Sequence, residues 1–243
     1  MPRNFYLIAH RCNTLSKINK SLKQGVNGIE CDLCCDDNGK WSVSHDSIQK
    51  TDLIEWLQYI TKAEQKYNRQ FALVIFDIKD AKPIGDLREL INTHLPKDLA
   101  RIYSVAKLDM AHILEDIATK LNEYEAISID EEDDPKEVDQ FFKKIGTKQC
   151  CYGNGITLIP FDGQFHDSMQ QAAALRDSAG AFCKVYTWSI HHKKAMIKYI
   201  EEDKVDGMLV GLDGVLTRPV SKALKIIKAS NQVQLADRQT KLF

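Results

Sequence analysis

The chain has 243 residues, with 33 basic and 34 acidic side chains and a formal net charge of −1 at pH 7. That balance gives no global field to attract nucleic acid or an anionic membrane, so any lipid contact rests on local surface loops. No apolar run approaches the ~18 residues of a membrane span, and the opening MPRNFYLIAH enters a strand without the apolar core of a secretory leader.

Short apolar runs then alternate with amphipathic stretches. FYLIAH (5–10) reads as a buried strand, followed by a helix over 14–24 that stops at Gly25. GIECDLCC (28–35) is the next strand. Asp37-Asn38-Gly39 signals a turn, and KWSVSH (40–45) returns as a hairpin strand. Residues 52–67 carry Leu53, Trp56, Leu57 and Ile60 at helical spacing, and FALVIFDIKD (71–80) is the most strand-like segment. Beyond it the pattern predicts helix 84–95, strand 101–105, helix 109–122, strand 125–130, helix 135–145 and strand 149–152. Helix 164–178, strand 182–190, helix 193–202, strand 206–210 and helix 217–229 complete it, with a polar tail from about residue 231 as a surface strap or a disordered end. Leaving out the hairpin return, eight strand–helix units result. Repeated alternation predicts a parallel sheet, and this number in ~250 residues predicts a closed (β/α)8 TIM barrel as a single domain over 1–243. No Gly-x-Gly-x-x-Gly follows the first strand, which argues against a dinucleotide fold.

In such a barrel the chemistry lies at the C-terminal ends of the strands. His10 ends the first strand; Glu30 and Asp32, two apart, share a face of the second; His45 ends the hairpin; Asp77 and Lys79 end the third; Tyr186 and Trp188 share a face of the seventh. Singly, each has an ordinary structural explanation. Together they place three carboxylates where mutual repulsion calls for a cation, and hard oxygen ligands suit Mg²⁺. Lys79 would add positive charge for a phosphate, two histidines suit acid–base chemistry near neutral pH, and Trp188 suits an ammonium group.

The seven cysteines, odd in number and with two adjacent pairs, are poor material for a disulfide framework. Cys31-x-x-Cys34 lies in a strand rather than a zinc knuckle, so free thiols are expected, with Cys31 and Cys35 facing away from Glu30 and Asp32. That usage leans towards a reducing compartment.

At these positions the chain resembles the phospholipase-C-like phosphodiesterases, and within them the sphingomyelinase D (phospholipase D toxin) family. His10 with Asn13 is similar to the family's opening H-x-x-N, GIECDLCCDDNG to its second-strand metal motif, and VIFDIKD to its V-F-D-L-K. GNGIT (153–157), Arg176-Asp177-Ser178, KVYTWSI and VDGMLV resemble its later motifs. The resemblance implies Glu30, Asp32 and Asp77 as ligands of one Mg²⁺, His10 and His45 as the catalytic pair, and Lys79, Tyr186 and Trp188 around phosphate and headgroup. It implies a phospholipase D that splits the phosphate–headgroup bond of sphingomyelin or lysophospholipids, the lipid's own hydroxyl attacking to give a cyclic phosphate. It further implies a phospholipid partner, peripheral contact with a membrane or micelle, and secretion; the cysteine pattern leaves the cytoplasm as the alternative. Where the family has Asp after the tryptophan this chain has His191, and where it has Asn after V-D-G-V-M-T this chain has Gly211. The segment from Asp46 to Leu53 lacks the cysteine that braces the arachnid toxins, and LADRQTKLF only loosely resembles the closing motif. The rival readings are a glycerophosphodiester phosphodiesterase, through His10-Arg11, Glu30-x-Asp32 and His45-Asp46, and a catalytically weak lipid-binding effector.

Overall fold

A computed structural model describes residues 2–45, 50–131, 134–155, 165–215 and 217–240. β1 (Arg3–Ala9) leads through α1 (Leu15–Gln24) into β2 (Gly28–Cys35), which folds back on β3 (Trp41–Val43) and β4 (Thr51–Asp52). There follow α2 (Leu53–Lys66), β5 (Leu73–Ile78), α3 (Gly85–His94), β6 (Ala100–Val105), α4 (His112–Ala118), β7 (Glu125–Ile129), α5 (Pro135–Ile145) and β8 (Cys150–Gly155). The chain ends with α6 (His166–Arg176), β9 (Phe182–Trp188), α7 (Lys193–Glu201), β10 (Gly207–Val210), α8 (Pro219–Ala229) and β11 (Val233–Leu235). The parallel strands run in the order β1-β10-β9-β8-β7-β6-β5-β2, and β2 pairs again with β1, which closes the predicted eight-stranded barrel.

Two layers of core follow from strand alternation. Leu7, Ile29, Cys31, Val74, Phe76, Tyr103 and Ile127 point outwards into the helix-facing layer with Trp56, Leu57 and Phe142. Tyr6, Ile8, Leu73, Ile75, Ile102, Ala126 and Leu209 point inwards and fill the barrel. Space inside is tight: a Cβ on Gly28 would stand 2.9 Å from Ile8 Cγ1. At the C-terminal ends the inward positions turn polar, and the parallel register sets Asp32 beside Asp77 and Asp77 beside Ser104.

The helix termini follow local chemistry. Thr14, Asp52 and Asp134 cap α1, α2 and α5 through their side chains, and Gly25 and Gly146 end α1 and α5 in the left-handed conformation. Three expectations change. The helix predicted over 109–122 shortens to a 3-10 turn (Leu108–Met110) and α4, because Asn122 bonds the Tyr124 N–H through its side chain and the Glu125 carboxylate through its own N–H. β8 runs on to Gly155, beyond the predicted end at 152. The tail, expected as a strap or a disordered end, contains β11, which pairs with Arg3–Phe5 at the foot of the barrel. β2 leaves that stretch of β1 uncovered, since it pairs only with Ile8 and Ala9. Buried Asn27 ties the joint by donating to the carbonyls of Phe5 and Ala236, and Arg238 anchors the end on Glu64 and Asp98.

Candidate active site at the barrel rim

Glu30, Asp32 and Asp77 converge at the rim, with one carboxylate oxygen of each within 4.8 Å of the others. Asp32 is fixed by a reciprocal pair: the Asn13 amide donates to Asp32 Oδ2 at 2.7 Å, and the Asp32 N–H donates to Asn13 Oδ1 at 3.0 Å. Glu30 Oε2 accepts the Arg11 N–H at 2.5 Å. That bond accompanies a left-handed Arg11 backbone, φ 56°, a conformation costing a side-chain-bearing residue on the order of 1 kcal/mol and recurrent at functional sites. Glu30 Oε1 is buried without a hydrogen-bond partner. Burial, reinforced by the charges of Asp32 and Asp77, pushes the Glu30 carboxyl well above its ordinary range; burial also raises Asp77 against the pull of Lys79. An orphaned carboxylate oxygen among clustered acids is the arrangement a divalent cation relieves, so these residues fit a metal ion.

Lys79 binds Asp77 directly and stands 3.1 Å from Asp32 Oδ1, and these carboxylates raise its pKa against desolvation. His10 caps β1 with Nδ1 2.7 Å from Ser189 Oγ and Nε2 3.8 Å from Glu30 Oε2. Burial first, and the Arg11 charge second, depress His10 to about 3, so the imidazole is neutral at ordinary pH. With Nδ1 engaged by Ser189, Nε2 is the nitrogen on the carboxylate side.

A small cavity of about 40 Å³ sits among His10, Glu30, Asp77, Lys79, Asp130 and Trp188. It has room for an ion or a water rather than a lipid headgroup, which must therefore sit above it. A larger groove of about 610 Å³ lies between the β2–β3 hairpin and the starts of α2 and α3. Its lining brings no histidine and no converging carboxylates, so the small polar cavity is the candidate site.

The remaining expected residues divide. Tyr186 is buried within the barrel, and its hydroxyl bonds Asp130 Oδ1 directly and Ser128 Oγ at 2.7 Å. Trp188 lines the cavity while its indole N–H donates to the Asp130 carbonyl at 3.1 Å. His45 is exposed and makes no hydrogen bond or ion pair among the described residues; Ser44 before it donates its N–H to the Asp32 carbonyl at 3.0 Å. The structure thus gathers His10, Glu30, Asp32, Asp77, Lys79 and Trp188 and leaves the His45 side chain outside their contacts. Asp46, next to it, and Ile156-Thr157 of the GNGIT stretch lie outside the described residues. His191 adjoins Gly211: a Cβ at 211 would meet the imidazole at 3.5 Å, so the two departures from the resembled pattern occupy one place.

Asp130 is the residue that sequence reading missed. It directly follows β7, two residues after Ser128, so the strand-end rule applied to ISID would have found it. Its Oδ1 accepts from Ser128 Oγ at 2.6 Å and from Tyr186, yet burial dominates and raises the carboxyl to about 6. Gly153 makes this possible, since a Cβ there would stand 2.7 Å from the Tyr186 ring and 3.0 Å from Asp130 Oδ1. Ser189, the partner of His10, is a second residue that the sequence did not single out.

The sequence profile described as Sphingomyelinase D/Phospholipase D matches residues 1–227. Dermonecrotic toxin LdSicTox-alphaIB3b of Loxosceles deserta is 25% identical over 255 aligned positions, covering 90% of this chain and 92% of the toxin. Dermonecrotic toxin LiSicTox-alphaIA2ai of Loxosceles intermedia is 24% identical, covering 88% and 81%. Among solved structures, a phosphodiesterase of Oleispira antarctica in complex with the product sn-glycerol-3-phosphate superposes with a TM-score of 0.66 at 16% identity, covering 92% of this chain and 97% of that one. A glycerophosphodiester phosphodiesterase of Parabacteroides distasonis gives 0.62 at 16%, covering 93% and 98%. At such identities these two superpositions establish the shared barrel.

Proposed function

The chain belongs to the sphingomyelinase D/phospholipase D family and is a phospholipid phosphodiesterase; from that premise we propose that it is a metal-dependent phospholipase D cleaving the phosphate–headgroup bond of sphingomyelin or lysophospholipids. The observation that carries this is the cluster of Glu30, Asp32 and Asp77 with an orphaned Glu30 oxygen, set beside His10 and Lys79. Those three carboxylates would hold a divalent ion such as Mg²⁺, and the ion, when bound, supplies Lewis-acid stabilisation of charge on the phosphate.

This chain's own residues do the rest. Lys79 neutralises a phosphoryl oxygen. Neutral His10 takes the proton of the lipid's own hydroxyl at Nε2 as that oxygen bonds to phosphorus, with Ser189 holding the ring from Nδ1. The bond from phosphorus to the headgroup oxygen breaks, and His45 gives that oxygen a proton. Cyclic phosphate and free alcohol result, with atoms in balance. Above the cavity, Trp188 offers an aromatic face and Asp130 a negative charge to an ammonium headgroup. The whole of 1–243 serves as a single catalytic domain on this reading. Secretion belongs to the same reading, while the seven free thiols make the cytosol the alternative; fractionating the producing culture into cells and medium separates the two.

Phosphorus NMR on sphingomyelin, lysophosphatidylcholine and glycerophosphocholine, each incubated with enzyme and Mg²⁺, tests the assignment. Cyclic phosphate from the first two, with choline released, is the expected result. Glycerol phosphate from glycerophosphocholine, with the lipids untouched, would instead make the protein a glycerophosphodiester phosphodiesterase.

A further inference from the structure

Charge is distributed unevenly round the rim. On the β9–α7 side, Lys193 and Lys194 occupy the first two positions of α7, with no acidic residue in its first turn and no side-chain cap from His192. α8 opens after Arg218, which gives no side-chain cap, and the Asp213 carboxylate of the preceding loop is spent on the Ser221 N–H and hydroxyl of its first turn. Positive charge at a helix N-terminus opposes the helix dipole, so the two lysines weaken α7. Lys193, Lys194 and Arg218 are exposed and make no ion pair among the described residues. Exposed Lys222 joins the two loops, its Nζ 3.5 Å from the His191 carbonyl.

The same place carries an unusual apolar tip. The β10–α8 loop closes on a Gly214 N–H to Thr217 O bond of 2.8 Å and leaves Val215 95% exposed, against 42% for Ile54 and 37% for Leu235. The β7–α5 side of the rim is the reverse: Glu131 and Asp134 flank Glu132 and Asp133 in the sequence. From Trp188 the chain passes Ser189, which contacts His10, and reaches the lysines four residues later.

We propose that the β9–α7 and β10–α8 loops form a docking surface for anionic phospholipid bilayers, with Lys193, Lys194, Arg218 and Lys222 facing the lipid phosphates and Val215 entering the headgroup layer. The proposal rests on the reading that the substrate is a membrane lipid. Charge complementarity selects the occupant: a cluster of cations around one exposed aliphatic side chain matches an anionic interface. The acidic β7–α5 side cannot approach the same surface, so the barrel lies tilted, with the His10 cavity beside the contact.

Sedimentation with vesicles tests this, using the full His10→Ala chain so that turnover does not alter the surface. Vesicles of phosphatidylcholine alone are compared with vesicles of phosphatidylcholine and phosphatidylserine. Expected is binding to the mixed vesicles that falls as salt rises and weakens roughly fivefold for each lysine neutralised among Lys193 and Lys194. Val215→Asp should weaken it as well. Lys20→Gln with Lys23→Gln, both exposed on α1, removes the same net charge elsewhere and should leave binding intact. In the otherwise native chain, Lys193→Gln with Lys194→Gln should retain turnover of detergent-dispersed lipid, which shows that it folds. Equal binding to both vesicle types, or equal losses from the α1 and α7 changes, would overturn the proposal. Loss of all lipid turnover by the native chain, with anionic binding kept, would instead count against the function proposed above.

Discussion

Asp130→Asn separates stability from activity at this site. The hydroxyls of Ser128 and Tyr186 give their hydrogen bonds to Oδ1, and a hydrogen bond from Ser104 also favours the ionised carboxyl. An asparagine placed with its oxygen at Oδ1 keeps the Ser128 and Tyr186 bonds while losing the charge. Burial lifts the native carboxyl from 3.8 to about 6 despite those bonds. Two units at ~1.4 kcal/mol each make ionised Asp130 cost the folded state about 3 kcal/mol. The sign follows from a raised folded pKa. Asp130 favours folding fully below its unfolded pKa, and that contribution is lost as pH rises from 3.8 through about 6. Urea unfolding with EDTA present should therefore find Asp130→Asn more stable than wild type at about pH 8, by up to ~3 kcal/mol, with the gap closing towards about pH 4. Activity should move the other way, with kcat/KM on lysophosphatidylcholine falling about 10- to 100-fold, as expected when a charged contact worth ~1.5–3 kcal/mol is lost. A variant no more stable than wild type at the higher pH, or a gap indifferent to pH, would refute the reasoning.

Other consequences are more direct. His10→Ala should lose ~10²–10⁴-fold in kcat with its unfolding midpoint little changed; near-normal turnover would remove His10 from the chemistry. His45→Ala should lose activity on the same scale and, as the residue is exposed, leave stability within about 0.5 kcal/mol. Asn13→Ala strips Asp32 of two hydrogen bonds and should raise the Mg²⁺ concentration needed for half-maximal turnover, a shift read from metal titrations. Mass analysis after alkylation without reductant should find all seven cysteines free, including Cys151 and Cys183, whose sulfurs lie 3.8 Å apart; a native cross-link would contradict it.

The barrel was legible because the inward and outward faces of its strands differ so plainly. Strand β2 reads G-I-E-C-D-L, and its even positions enter the barrel while Ile29, Cys31 and Leu33 pack under the helices. That alternation also put Glu30 and Asp32 on one face before any coordinates. The short hairpin strand β3 was legible from its turn signal, but two other short strands were not. Thr51–Asp52 and Val233–Leu235 carry no periodicity of their own and become strands only because β3 and the foot of β1 offer unpaired backbone. Asp130 was within reach of the strand-end rule, but its surroundings were not legible: they depend on Tyr186, 56 residues away, and on the absence of a side chain at Gly153. The Ser189 contact to His10 spans 179 positions, and no local pattern announces it. His45 shows the converse, since its place in the motif order was readable while its exposed side chain makes no hydrogen bond or ion pair to the cluster among the described residues.

The central claim is that Glu30, Asp32 and Asp77 hold a divalent cation on which phospholipid cleavage depends. Choline release from lysophosphatidylcholine tests it in chelated enzyme, before and after Mg²⁺ is added, in wild type and in Asp77→Asn. The account predicts no release after chelation, recovery of the wild type with Mg²⁺, and little recovery of the variant. Undiminished choline release from the chelated wild type would contradict it.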